Sequence, residues 1–237
     1  MAGTLYLVPN LLGIVPPGNV LPARTIVIAR RLGHFIVENA KPARAFLKSI
    51  EPARPLREIA ISEIGADPAA EHVAALLAPA RAGADIGLLS DAGCPAVADP
   101  GARIVEAAHR ERIVVVPLVG PSSVLLALMA SGMNGQGFAF HGYLPVKPPA
   151  RAEALRALEA DSRRTGDAQL FIETPYRNEA LLAGIVAACK PTTRLCVAAD
   201  LTLETESVES RPISEWTGRD FARYAKRPAI FVMQAAG

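Results

Sequence analysis

Short β-branched runs alternate along the chain with longer stretches whose apolar residues recur every three or four positions, the two periods that separate strand from helix. In the first half the short runs predict strands at Thr4–Val8, His34–Glu38, Leu56–Ile61, Asp85–Leu89 and Ile113–Pro117. Helical patterns fill the gaps at Leu21–Leu32, Ala43–Ile50, Pro68–Ala82 and Gly101–Arg112. Strand–helix–strand crossovers of this length favour parallel, right-handed neighbours with helices on both faces. Residues 1–118 therefore read as an α/β domain on a parallel five-stranded sheet.

At Val119-Gly-Pro-Ser-Ser123 the pattern resets, with Pro121 at a first-turn position ahead of an apolar helix from Val124 to Ser131. Residues 119–237 then predict a second α/β domain with a mixed sheet. Its strands are Phe138–Tyr143, Gln169–Glu173, Arg194–Ala199, Glu206–Arg211 and Ala229–Gln234, and its helices Ala150–Asp161, Arg177–Cys189 and a short one near Glu215–Tyr224. No internal repeat or low-complexity tract interrupts either half.

Composition narrows the class. Apolar residues are 51% and charged residues 20% of 237, a globular balance. The longest apolar runs, such as Val124–Ala130, fall far short of the roughly 18 residues that cross a bilayer, so no membrane association is expected. The start, Met-Ala-Gly-Thr-Leu-Tyr-Leu-Val, lacks the basic and apolar regions of a secretory signal. Cys94, Cys189 and Cys196 are odd in number and irregular in spacing, which argues against a disulfide framework and predicts a cytoplasmic protein. A net charge of +2 does not by itself point to nucleic acid.

In a parallel sheet, functional loops gather at the carboxyl ends of the strands. Here these are Pro9–Asn19, Asn39–Pro42, Ser90–Gly101 and Leu118–Ser123, and three of the four are rich in Gly and Pro, which suggests a site built from backbone. Familiar nucleotide motifs fail: Gly13-Ile-Val-Pro-Pro-Gly18 is followed by Asn-Val where a P-loop needs Lys and Ser or Thr, and Gly132–Gly137 precedes a strand instead of following one. His34, His72, His109 and His141 are scattered singly, so no metal site is expected. Ser122 lacks the Gly-x-Ser-x-Gly setting of a hydrolase nucleophile. Carboxylates at predicted strand ends or in these loops are Glu38, Asp91, Asp99, Glu173 and Glu204. Asp99, ahead of Pro100-Gly101, suits a helix cap. Glu38 and Glu173, each closing an apolar strand, are the candidate catalytic groups. Lys41 and Arg177 are candidates to hold a substrate phosphate, and Tyr176 to stack on a base.

Taken in order, Leu5-Tyr-Leu-Val-Pro9, Ser90-Asp-Ala-Gly-Cys-Pro95, Asp99-Pro-Gly101, Val115-Val-Pro-Leu-Val-Gly-Pro121 and Gly142-Tyr-Leu-Pro145 resemble the tetrapyrrole-methylase superfamily of S-adenosylmethionine enzymes. The likeness continues through Phe171-Ile-Glu-Thr-Pro-Tyr-Arg177, Ala198-Ala-Asp-Leu-Thr202 and Arg227-Pro-Ala-Ile-Phe231, nearly the whole chain. Within the superfamily it resembles most the small-subunit ribosomal RNA 2′-O-ribose cytidine methyltransferase branch. The resemblance implies a two-domain α/β fold, a homodimer, and S-adenosylmethionine between the domains. It places cofactor contacts at Leu12, Gly93, Cys94, Val97, Ser122 and Ser123, and at Ile172, Ala199 and Ala229 in the second half, largely through main-chain groups.

Two features depart from that branch. Its members usually carry an acidic-Asp-Thr-Arg loop after the second strand, where this sequence reads Glu38-Asn39-Ala40-Lys41, and they commonly extend past the last strand, whereas this sequence stops at Gly237. The expected activity is methyl transfer to ribosomal RNA of the small subunit. Methylation of a tetrapyrrole or another small molecule, and a catalytically silent cofactor-binding module, are the alternatives. A sulfonium methyl is already activated, so positioning supplies most of the acceleration, while a ribose hydroxyl benefits from a general base.

Overall fold

The structure is a computed structural model and describes residues 2–236. It contains two compact units that divide between Ser122 and Ser123.

The first unit alternates strand and helix throughout: β1 (Thr4–Val8), α1 (Ala23–Arg31), β2 (His34–Val37), α2 (Ala40–Ser49), β3 (Ala60–Glu63), α3 (Ala70–Arg81), β4 (Ile86–Leu89), α4 (Ala102–Arg110) and β5 (Val114–Pro117). The strands form one sheet in the order β3-β2-β4-β1-β5, every neighbouring pair parallel. β1 lies inside the sheet, with Leu5 opposite Ile86 on one side and Val115 on the other.

Alternation along the strands decides which helices cover which face. Leu5, Ile36, Ile86 and Leu88 pack with Val73, Leu77, Ile104 and Ala108 of α3 and α4. Val8, Phe35, Val37 and Leu89 pack with Ala29 of α1 and Ala43, Phe46 and Leu47 of α2. Both faces are thus closed, as a parallel sheet requires, and each fully buried Leu or Phe contributes about 1.5–3 kcal/mol of apolar burial.

The second unit begins with α5 (Ser123–Ser131) and continues with β6 (Phe138–Tyr143), α6 (Pro148–Thr165), β7 (Ala168–Ile172), α7 (Asn178–Ala188), β8 (Arg194–Ala199), β9 (Ser207–Pro212) and β10 (Ala229–Gln234). Its sheet runs β6-β7-β10-β8-β9 and is mixed, with β6 parallel to β7 and the other pairs antiparallel. Phe171 and Phe231 face each other across β7 and β10 and stack with ring centres 5.8 Å apart.

Three expectations about elements are corrected. The strand predicted at Leu56–Ile61 begins later, because Pro55 starts a 3-10 turn over Leu56–Glu58 and the strand follows at Ala60–Glu63. The helix predicted near Glu215–Tyr224 is two separate 3-10 turns, Ile213–Glu215 and Ala222–Tyr224, with Gly218 between them in the left-handed region at φ +76°. The segment Asn39–Pro42 is the start of α2 instead of a loop: the Asn39 side chain accepts the Lys41 N–H and caps the helix.

Candidate functional site

The loops after β1, β4 and β5 leave adjacent strands of the first unit at their carboxyl ends, and they meet at Gly93. The Asn10 N–H donates to the Gly93 carbonyl at 2.9 Å. The Asn10 side chain donates to the carbonyls of Ser90 and Asp91, both at 3.0 Å, and accepts the Leu11 N–H at 2.8 Å. This buried amide therefore ties the first loop to the third. The Cys94 thiol donates to the Pro121 carbonyl at 3.5 Å, which ties the third loop to the fourth.

Gly93 sits at φ +70°, and a β-carbon there would stand 3.3 Å from Leu12 Cδ2 and 3.7 Å from the Pro121 carbonyl oxygen. On Gly120 a β-carbon would collide with the Pro9 ring. The loops therefore converge closely, with no room for a side chain at Gly120 and little at Gly93. Of the residues expected to contact a cofactor, Leu12, Gly93 and Cys94 are brought together here. Val97 lies farther along the third loop with its side chain half-exposed, and Ser122 closes the fourth.

The third loop is strained. Ala96 and Ala98 both adopt positive φ, 67° and 62°, which costs an L-residue about 1–2 kcal/mol. Asp99 holds them there: its carboxylate accepts the Ala96 N–H at 2.9 Å and the Gly101 N–H at 2.7 Å. Asp99 therefore caps its own loop, and the N-cap position of α4 itself is Gly101.

Beside this loop a cavity of about 580 Å³ is lined by Glu38, Gly65, Ala66, Ala98, Asp99 and Pro100. Four carboxylates border it or lie next to it. Glu38 accepts the Asp91 N–H at 2.8 Å, and Glu63 accepts the Ala40 N–H at 2.7 Å. Burial pushes the Glu38 carboxyl above its ordinary value, and the charges of Asp99 and Asp91 push the same way against the Asp91 hydrogen bond. Burial also raises Asp91, helped by Glu63, and raises Asp99 against the two hydrogen bonds it accepts. A carboxylate so placed is a better proton acceptor than one in water. Lys41 is exposed in the first turn of α2, three residues beyond Glu38.

The other expected positions lie in the second unit. Ala199 and Ala229 are register partners at one end of its sheet, and Ile172 pairs with Ile230 at the same end. Ser123 begins α5. Glu173 follows β7 with its side chain wholly enclosed. Its Oε1 accepts Arg177 Nη2 at 2.5 Å, Arg177 Nε at 2.9 Å and the Thr174 N–H at 2.7 Å, and its Oε2 has no partner. The structure thus joins Glu173 and Arg177 to each other. Tyr176, 82% exposed, stands beside them, and Glu204 is exposed between β8 and β9.

Asn10 was not singled out by sequence reasoning, since an Asn after a strand usually marks a turn and its partners lie some eighty positions away. Among the described residues no three His, Cys, Asp or Glu side chains gather as metal ligands, and no helix is long and apolar enough to cross a membrane.

No protein-family model matches the chain. It is 35% identical over 218 residues to ribosomal RNA small subunit methyltransferase I of Micromonospora olivasterospora, covering 92% of this chain and 66% of that protein. The protein of the same name from Streptococcus pyogenes serotype M3 is 31% identical over 216 residues, covering 90% of this chain and 70% of that protein. The chain spans about half to two thirds of the length of the first curated relatives it matches. In fold it is similar to the methyltransferase CobJ, with a TM-score of 0.65 at 14% identity over 99% of this chain and 95% of that one. Uroporphyrin-III-C-methyltransferase from Thermus thermophilus gives 0.56 at 19% identity over 99% and 93%. The architecture expected from the sequence is therefore the one observed.

Proposed function

The chain belongs to the ribosomal RNA small subunit methyltransferase I family, and from that premise we propose that it methylates a ribose 2′-oxygen of small-subunit ribosomal RNA, with S-adenosylmethionine as donor. The observation that carries this reading is the meeting of three loops rich in Gly and Pro at Gly93, which sits at φ +70° with Leu12 and the Pro121 carbonyl close by.

The residues present fit that cofactor. The peptide groups of Leu12, Gly93, Cys94, Val97 and Ser122 would hold it, with Asn10 fixing the spacing of the first and third loops. When bound, it supplies a methyl group already activated by its sulfonium charge. The protein's own task is then to orient the hydroxyl and take its proton. Glu38 is our choice of base, because it lines the cavity, one of its oxygens is fixed by the Asp91 N–H, and its proton affinity is raised. Glu173 is a poorer choice: it is enclosed and engaged by Arg177, and we assign the pair a structural role. Lys41, exposed at the start of α2, would meet a substrate phosphate.

Two measurements test this. Mass-spectrometric mapping of ribosomal RNA from a deletion strain should show one ribose methyl lost, restored by the wild-type gene and not by Glu38→Gln. Calorimetry with S-adenosylhomocysteine should show binding by wild type and none by folded Gly93→Trp. An unchanged RNA from the deletion strain, with a tetrapyrrole methylated in vitro instead, would overturn the substrate; binding without turnover on any acceptor would make the protein a silent module; undiminished affinity of Gly93→Trp would overturn the site.

A further inference from the structure

Charge is unevenly spread along the first unit. Residues 20–57 carry eight basic and two acidic side chains, a local excess of +6 in a chain whose net charge is +2. These residues make α1, β2 and α2 and the segment after α2, which form one helical layer of the sheet with β2 beneath it.

On both helices the cations are in stripes. Arg24 and Arg31 are seven positions apart on α1, and Lys41, Arg44 and Lys48 follow at i, i+3 and i+7 on α2, spacings that return to one side of a helix. Each stripe extends about 10 Å along its helix. The far ends come together: the Ala53 N–H donates to the Arg30 carbonyl at 2.9 Å. There a cavity of about 480 Å³ is lined by Arg31, His34 and Arg54, together with Asp85. Among the described residues, Arg24, Arg31, Lys41, Arg44, Lys48 and Arg54 form no ion pair.

The opposite layer is different. On α3 and α4, Arg81 pairs with Glu111 at 2.9 Å, Arg103 with Asp67 at 2.6 Å and Arg110 with Glu106 at 3.9 Å. The excess positive charge is therefore confined to one side of the sheet, beginning beside the Glu38 cavity and ending at the Arg31–Arg54 cavity.

We propose that the outward face of α1 and α2, with the cavity at its foot, holds the sugar–phosphate backbone of the RNA that this protein modifies. The inference rests on the function proposed above. Unpaired Lys and Arg recognise phosphate without reading base edges, which positions a strand while leaving the acceptor nucleotide to the site. An anionic membrane is the poorer partner, because an interfacial helix needs a free apolar side. Here Ile28, Ala29, Ala43, Phe46 and Leu47 are already buried.

The test compares binding of small-subunit ribosomal RNA, naked and in assembled small subunits, by wild type, Arg44→Gln/Lys48→Gln and Arg24→Gln/Arg31→Gln. Each double variant should weaken binding about 10- to 30-fold at 0.15 M salt and lower the slope of log K against log salt by about 2. Affinity for S-adenosylhomocysteine should stay as in wild type, which checks the fold. Arg103→Gln/Arg110→Gln, on the opposite layer, should bind RNA normally. If wild type binds and methylates RNA while both α1–α2 variants match it in affinity and slope, this inference falls and the proposed function stands. If wild type binds no RNA, both fall. Tighter binding to phosphatidylserine vesicles than to RNA, lost in the same variants, would also overturn it.

Discussion

Glu38, the base proposed above, would serve chemistry and stability in opposite senses. Its acidity is lowered by burial and by the neighbouring Asp99 and Asp91 charges. As a base it works only when ionised, so methyl transfer should rise with pH through a midpoint above the ordinary carboxylate range, and Glu38→Gln should remove most of the rate at every pH while leaving cofactor affinity intact. For folding the sign is reversed. A carboxyl whose folded value is raised stabilises the protein below its unfolded value and loses that contribution as pH rises through the folded value. The melting temperature of Glu38→Gln should therefore exceed that of wild type near pH 8, and the gap should close on acidification. Thermal melts across pH, run beside single-turnover rates, check both halves; a gap that widens in acid would contradict the assignment.

At the scale of the element, the third loop carries the most strain. Two alanines at positive φ are held by one aspartate, and strain of this kind collects where a backbone must take a shape the sequence would not choose. Ala98→Gly should relieve it, raising stability by about 1 kcal/mol less the extra entropy of glycine in the unfolded chain. Urea unfolding measures the difference, and a destabilised variant would show that the left-handed conformation is not being forced.

This loop also marks the limit of what the sequence reveals. Its position after β4 and its Gly and Pro content were legible, as were β6, β8 and β10, whose ends match the apolar runs. Leu56–Glu58 misled because Leu56, Ile59 and Ile61, spread over a 3-10 turn and a short strand, pack against one core at a spacing that reads as a single strand. The Asn10 latch and the enclosure of Glu173 by Arg177 were not legible, since each depends on what the folded backbone brings next to a side chain. In the second case four positions of separation outside a regular helix gave no warning of contact.

Across the whole molecule, the two units close their cores completely enough to sort the thiols. Cys189 and Cys196 are buried, and burial pushes both up to about 12; Cys94, half-exposed, is raised by burial as well. Native protein should therefore release one equivalent with a thiol-disulfide reagent, from Cys94 and slowly, against three after unfolding. S-adenosylhomocysteine should protect that one; fast reaction at all three in native protein would contradict the packing described. The interior position of β1 has a different consequence. β1 is synthesised before both of its partners, Ile86–Leu89 and Val114–Pro117, the last two strands of its sheet. A nascent chain therefore cannot complete this sheet until β5 has emerged, and until then the apolar segment of β1 must wait, unpaired, for partners still being translated.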